Sequence, residues 1–329
     1  MPPSPSFISC DWGTTSLRLR WVDRQTGSIL SELSSSSQGV RNTATTLPPD
    51  TSPTYRAQHF AQTLARTIQS WPEVSPHLAS CPPIVISGMA SSSIGWVELP
   101  YAPTPFPTNG SSAITRQLPL TIQNHTLPTL LISGLASPTD MMRGEETQLI
   151  GLLASRSRLN LNHSSLILLP GTHSKHARIQ DHHITHLTTF MTGELFDVLH
   201  RHSTLQFTTT EANNSTNDPA FLEGVHAALQ TGLMPALFQT RTRSVLRQLP
   251  HHSNTSFLSG LLIGAEILTL QSLPTSTPIL IAAPHILAPP YSIAAQALLP
   301  RHQVDITTAN ELTHALILAH STLLTSNAL

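Results

Sequence analysis

Leu166-Ile167-Leu168-Leu169-Pro170-Gly171-Thr172-His173-Ser174-Lys175 decides the fold. Four apolar residues read as a buried strand, the residues from Pro170 as a polar turn, and Ala177-Arg178-Ile179 as a returning strand. Asp181-His182 turns the chain again, and Ile184 to Thr188 predicts a third strand. The same succession opens the chain. Phe7-Ile8-Ser9-Cys10 leads into the polar Asp11-Trp12-Gly13-Thr14-Thr15, and Leu17 to Val22 alternates at period two. Thr26-Gly27 turns, and Ile29 to Leu33 predicts a third strand. Both polar turns carry Gly-Thr-x-Ser, at Gly13 to Ser16 and Gly171 to Ser174, 158 residues apart in a chain of 329. That recurrence predicts an α/β protein made of two similar halves, 1–162 and 163–329.

Between the two meanders, residues 34–54 are rich in Ser, Thr and Pro and read as a loop. Tyr55 to Trp71 places Phe60, Leu64, Ala65 and Ile68 at helical spacing, and Pro72 stops it. Ile84-Val85-Ile86 reads as a short strand ending at Ser87-Gly88, and residues 100–128 as a long Pro- and Thr-rich surface excursion. A strand at Leu130-Leu131-Ile132 and a helix through Gln148 to Leu153 follow. After the second meander the chain reads as mostly helical, with strands at Ile279-Leu280-Ile281 and Val304-Asp305-Ile306. The longest apolar run, Phe257 to Leu273, contains Gly260, Gly264 and Glu266 and predicts a buried helix rather than a membrane span.

Charged residues are only 11% of the chain, against about 25% on average. The net charge of −1 removes the electrostatic case for nucleic acid or an anionic membrane. Cys10 and Cys81 make no disulfide framework or metal spacing, and the N-terminus lacks a signal-peptide pattern, so a cytoplasmic location is expected. Histidines are frequent (18) and scattered, so the run His173, His176, His182, His183, His186 reads as composition rather than a zinc site. Among 17 basic residues there is one lysine, Lys175, and it lies in the second turn.

A Gly-Thr turn between strands aims backbone N–H groups and hydroxyls in one direction, a concavity suited to phosphate. Asp11, ending the first strand, could hold a hydrated Mg2+. Two such turns facing each other would clamp a nucleotide's phosphates; taken singly, each is also an ordinary hairpin turn. Neither GxxxxGK[ST] nor a strand-borne GxGxxG is present.

The segments DWGTTSLR (11–18), SGMASSSIGW (87–96), MRGEETQLIG (142–151), LLPGTHSKH (168–176), FMTGELFDVL (190–199) and FLSGLLIGAE (257–266) resemble the 2-dehydro-3-deoxygalactonokinase family. That family belongs to the actin-like ATPase and sugar-kinase superfamily, and the resemblance is collinear from about residue 7 to 320. It implies two duplicated ribonuclease H-like domains facing a cleft. The implied reaction is ATP-dependent phosphorylation of the C6 hydroxyl of 2-dehydro-3-deoxy-D-galactonate, with Mg2+; the expected partners are a small-molecule sugar acid and a second copy of the chain in a homodimer, with no nucleic acid and no membrane. Asp11, Gly13, Thr14, Thr15 and Arg18 fall in what resembles the first phosphate motif; Gly171, Thr172, His173, Ser174 and Lys175 fall in the second. The resemblance gives Lys175 a role in countering charge on ATP or on the sugar acid. It also implies a proton-accepting carboxylate at Glu145 or Glu146, the sole adjacent acid pair, which could equally cap a helix N-terminus. Arg143 is expected to fork onto the substrate carboxylate. Gly88, Met89, Ser91 and Ser92, with Thr192 and Glu194, are expected to shape the sugar site, although Glu194 would also suit a first helical turn. Three places depart from the family pattern. Ala282-Ala283-Pro284 stands where a glycine turn is expected, Asn310-Glu311 and Leu316 where an acid and a glycine are expected, and His176 where an aromatic is expected. A weakened relative acting as a sugar-acid sensor or scaffold is the alternative these departures suggest.

Overall fold

The structure is a computed structural model describing residues 5–156, 161, 163–210 and 219–329. The first meander forms as expected from its alternation: β1 (Ser6–Trp12), β2 (Leu17–Asp23) and β3 (Ile29–Ser35), antiparallel, with Asp11 opposite Arg18. The segment 34–54 is not wholly loop, because it contains the short helix α1 (Val40–Thr45). Helix α2 (Pro53–Gln69) starts at Ser52, whose side chain accepts from Tyr55 N–H, and buries Phe60, Leu64 and Ile68.

Strand β4 (Ile84–Gly88) lies parallel to β1. The expected excursion at 100–128 is instead largely sheet: β5 (Ala102–Pro103), β6 (Phe106–Pro107), β7 (Thr115–Ile122) and β8 (His125–Ile132). Strands β7 and β8 form a hairpin that sets Pro119 opposite Pro128. Pro119 is tolerated because β7 is the sheet edge, where a missing N–H costs no ladder bond. Short β9 (Leu135–Ala136) and β10 (Met141–Met142) join β5 in a small sheet, and α3 (Glu145–Ser155) follows.

The second half repeats the plan with β11 (Ser164–Leu169), β12 (Ser174–Gln180) and β13 (His183–Phe190). Then come α4 (Thr192–His202), α5 (Pro219–Gln230), α6 (Leu233–Val245), α7 (His251–Leu268), β14 (Ile279–Ile281), α8 (Ala288–Leu298), β15 (Val304–Ile306) and α9 (Ala309–Ser326). The large sheets run β3-β2-β1-β4-β8-β7 and β15-β14-β11-β12-β13, the latter with β6 beside β13. In each, the first strand of the meander is central and two further strands run parallel beyond it. Third-second-first-fourth-fifth is the ribonuclease H-like order, and it occurs twice.

The chain forms two compact units, Met1–Leu159 with His182–Thr185 and Thr313–Leu329, and Asn160–Asp181 with His186–Leu312. Residue 162, the expected boundary, lies outside the described residues. The simple halving needs one correction, because most of α9 packs with the first unit. Gly151 permits this: a Cβ there would lie 1.7 Å from Ala315 O. Each unit has its own core, one around Trp12, Phe60, Trp71 and Ile86, the other around Phe221, Ile267, Ile281 and Tyr291. In the second unit α5 and α7 touch through glycines, since a Cβ on Gly224 or Gly260 would come within 2.1 Å of the partner helix backbone. Among the described residues no helix is long and apolar enough to cross a membrane.

Candidate active site

In the first unit the residues expected to act gather at the carboxyl ends of the parallel strands β1 and β4, where open α/β sheets bind ligands. Asp11 is the penultimate residue of β1; its carboxylate accepts from Arg18 Nη1 at 3.1 Å and stays partly exposed. In the turn that follows, Gly13 N–H donates to Ser16 O at 2.9 Å. Helix α1 braces this turn from behind: Val40 and Arg41 N–H groups donate to Gly13 O and Thr14 O. Gly39, just before α1, presses so closely that a Cβ would lie 2.2 Å from the Thr15 carbonyl carbon.

Gly88 ends β4 opposite Trp12, with φ +95°. Gly144, with φ +109°, sets its backbone against Gly88, where a Cβ would lie 3.1 Å from Gly88 Cα. These two glycines bring the N-terminus of α3 to the strand ends. The two acids at that helix start lie in different environments. Glu145, half-buried, accepts from Arg143 N–H at 3.0 Å. Glu146 is buried and accepts from Gly144 N–H at 2.7 Å and Thr147 Oγ1 at 2.9 Å. Burial first, and then the neighbouring Glu145 charge, push the Glu146 carboxyl up to about 8.

Arg143 is placed differently from the expected substrate fork. Its Nη1 donates to the Ser91 carbonyl and hydroxyl, its Nη2 to Leu99 O, and the guanidinium lies 4.1 Å over the Tyr101 ring. Arginine has a rigid set of donors, and here they fasten the segment after β4. The serines of that segment are likewise turned inward. Ser91 Oγ donates to Gly88 O, and Ser92 Oγ donates to Met89 O at 2.7 Å.

In the second unit, Thr172 and His173 are the exposed tip of the β11–β12 turn. Helix α4 begins directly on it. Glu194 N–H donates to Thr172 O at 3.0 Å, and a Cβ on Gly193 would lie 2.6 Å from Gly171 O. Glu194 Oε2 and His173 Nε2 pair, joining an expected sugar-site residue to the expected phosphate turn. Lys175 is largely buried, and its Nζ donates to Thr189 Oγ1 on β13 at 2.7 Å.

Ser174 does not offer its hydroxyl outward as expected of the turn, and Thr192, expected at the sugar site, is turned inward as well. Both donate to Glu266, a residue the sequence reading had assigned only to a buried helix. Glu266 Oε1 accepts from Ser174 Oγ (2.6 Å) and His176 Nε2 (2.8 Å); Oε2 accepts from Thr192 Oγ1 and Tyr291 OH (2.6 Å). Burial opposes ionisation of this carboxyl, but the bond and charge of His176 and the hydroxyls of Ser174 and Thr192 outweigh it and hold it below its ordinary value. The same network explains His176 in place of an aromatic: its ring packs 4.5 Å from Phe190 while its nitrogen serves Glu266. An acid inside the longest apolar run was the available signal, because a fully buried carboxylate requires donors.

His320 was also missed. It bridges Ser9 on β1 (2.9 Å) and Ser87 on β4 (3.0 Å), and burial followed by the Arg20 charge drives its pKa down to about 3. One histidine among 18 carried no signal in the sequence. The departures from the family pattern fill structural positions. Ala283 is buried in the second core, and Leu316 is buried as well. Glu311 and Thr308 exchange side-chain-to-backbone bonds in a capping box before α9.

With this geometry in hand, comparisons with known proteins are specific. The family model described as 2-keto-3-deoxy-galactonokinase matches residues 11–318. The chain is 34% identical over 270 residues to the 2-dehydro-3-deoxygalactonokinase of Escherichia coli (strain K12), covering 80% of each. It is also 34% identical over 268 residues to a Rhizobium meliloti (strain 1021) protein provisionally given the same kinase name, covering 79% of each. A solved structure from Sinorhizobium meliloti, again provisionally so named, superposes with a TM-score of 0.72 at 29% identity and 95% coverage of both chains. The segments first noticed in the sequence, the doubled sheet and the glycine-apposed strand ends therefore belong together: the chain is a member of the 2-keto-3-deoxy-galactonokinase family of sugar kinases.

Proposed function

We propose that this chain transfers the γ-phosphoryl group of ATP to the C6 hydroxyl of 2-dehydro-3-deoxy-D-galactonate, a step of D-galactonate catabolism in the cytoplasm. The observation that carries the reading is the meeting of Asp11, Gly88 and the Gly144–Glu145 helix start at the ends of β1 and β4, inside the matched residues. Phosphoryl transfer needs little covalent chemistry from the protein, and catalysis is mainly positioning and charge stabilisation.

Glu145 is the general base that takes the proton from the attacking hydroxyl. Its half-buried carboxylate lies in the first turn of α3, where the helix dipole favours the ionised form. Glu146, raised to about 8, is protonated at neutral pH and serves as an internal staple of the helix start. In the first unit the backbone amides of Thr14 and Thr15 are phosphate donors and Arg18 keeps Asp11 in place; in the second unit the amides of Gly171 to His173 are phosphate donors and Lys175 adds the full positive charge that backbone dipoles lack. A magnesium ion carried with the nucleotide suits the donor set. Asp11 offers one partly exposed carboxylate, and such ions take one or two protein carboxylates and fill the rest with water and phosphate. The ion would neutralise charge on the phosphate oxygens. The sugar-acid carboxylate lies near the segment that Arg143 fastens, so Arg143 acts by shaping that segment.

ATP consumption measured across a panel of 2-keto-3-deoxy sugar acids tests this reading. The galactonate-derived acid should give the highest kcat/KM. Nucleotide binding without turnover of any acid would instead identify a sensor or scaffold. Asp11→Asn should raise the magnesium concentration needed for half-maximal rate.

A further inference from the structure

Glu266 has no part in the reaction as described above, yet it is the most heavily hydrogen-bonded side chain behind the second turn. A carboxylate has about four acceptor positions, and here four donors fill them. They come from three different elements. Ser174 and His176 stand on β12, directly after the turn; Thr192 is the first residue of α4; Tyr291 is on α8. The turn and the start of α4 are also in backbone contact, through Glu194 N–H to Thr172 O and the bare Cα of Gly193 against Gly171. A glycine contact prevents the two from approaching further but does not stop them separating. Glu266 resists separation from behind, while the Glu194 N–H to Thr172 O bond and the His173–Glu194 pair hold the outer edge, because Oε1 holds the β12 side and Oε2 holds the α4 side.

We propose that Glu266 is the positioning residue of the second turn, tying Ser174 and Thr192 to one carboxylate so that the turn's amides and the first turn of α4 keep a fixed spacing around a bound phosphate group. The proposal rests on the turn holding the phosphates of ATP. Tyr291 supplies the internal control. Its hydroxyl reaches the same carboxylate from α8 and stands beside Ser174 and Thr192, but losing it leaves the Ser174–Oε1 and Thr192–Oε2 bonds in place, so the network weakens without freeing the turn.

The experiment measures KM for Mg-ATP, KM for the sugar acid, kcat and Tm on full-length Glu266→Gln, Thr192→Val, Thr192→Ser and Tyr291→Phe. Glu266→Gln and Thr192→Val should raise KM for ATP about tenfold and leave KM for the sugar acid within about twofold. Thr192→Ser, which keeps the hydroxyl, should recover most of what Thr192→Val loses. Tyr291→Phe should lower Tm and leave KM for ATP within about twofold. A KM for ATP that simply follows Tm across the set, with Tyr291→Phe as impaired as Thr192→Val, would show a stability device and overturn the proposal. Should Glu266→Gln fail to fold, the two Thr192 variants decide. Thr172→Val, on the tip of the turn, separates the two levels. If it raises KM for ATP while Glu266→Gln does not, the positioning role alone is wrong. If neither variant moves it, the phosphate assignment of the turn falls, and the proposal with it.

Discussion

The two Gly-Thr-x-Ser turns begin alike and end in opposite environments. Each joins the first two strands of a meander, and each is pressed by a glycine from a following element, Gly39 on Thr15 and Gly193 on Gly171. In the first, the acid belongs to the strand itself: Asp11 is partly exposed and paired with Arg18 across the ladder. In the second, the acid comes from a distant helix and lies behind the turn, where Glu266 draws Ser174 inward. A local pattern fixes the shape of a turn; which way its polar side chains face depends on what packs behind it. The buried carboxylates of the two units make the same point. Burial raises Glu146, which accepts from two backbone amides and one hydroxyl and has a like charge beside it, while His176, Ser174 and Thr192 hold Glu266 low despite similar burial.

The largest effect should come from separating the adjacent acids of the first unit. Glu145→Gln should lower kcat by on the order of 10²-fold with little change in KM for ATP, whereas Glu146→Gln, which mimics the protonated side chain, should keep kcat within about threefold. Steady-state kinetics on the two variants decide it, and a reversed outcome would move the base to Glu146. Next in size is the second unit's cation. Lys175→Met should reduce kcat/KM about ten- to a hundredfold, because a charge-assisted bond to phosphate or carboxylate is lost while most of the buried stem is kept. Unchanged kinetics would leave Lys175 as a packing residue hydrogen-bonded to Thr189.

The two braces can be compared directly. Gly39→Ala and Gly193→Ala each insert a methyl where backbone lies within 2.6 Å, and each should cost about 1–3 kcal/mol in urea melts. An unaffected Gly193→Ala would mean that α4 can slide off the turn freely.

The smallest expected effect is in the pH dependence of stability, and the two buried acids act on opposite limbs. Glu146 is raised, so between its ordinary value of 4.5 and about 8 the folded chain keeps a proton that the unfolded chain releases. Stability therefore falls as pH rises through that range and levels off above it. Glu146→Gln should remove this decline and gain a few degrees in Tm over the wild type near pH 8. Glu266 is lowered, so its contribution is present above its ordinary value and fades as pH falls toward the folded one. Glu266→Gln should flatten the acid limb. Thermal melts from pH 4 to 9 test both signs.

Strand alternation and the repeated turn were enough to predict both meanders, because a half-buried strand writes its period into the chain. The hairpin β7–β8 was hidden by Pro119 and Pro128, which read locally as loop; Pro119 is admitted because β7 has no neighbour on its outer side, and Pro128 precedes the Thr129–Leu131 stretch of β8 that pairs with β4. Helix α1 was hidden because six residues are too few to show a helical period. Asp11, the Glu145-Glu146 pair and the two turns stood out as candidates because they are unusual residues in sequence-local patterns. The use of Arg143 as a fastener for the Ser91 segment was not legible, since its partners lie 44 and 52 residues away.

The sequence by itself determined the α/β class, the internal repeat, the family and the residues that carry charge at both turns. The class and the repeat follow from short-range pattern, the charged residues from side-chain chemistry, and the family from the resemblance of six collinear segments. Only the tertiary structure decided which of two adjacent glutamates is buried, which serines face inward, that α9 closes the first unit, and that Glu266 and His320 tie distant elements together. Burial and hydrogen-bond partners are properties of packed neighbours, and neighbours up to 311 residues apart leave no mark on the local pattern of either partner.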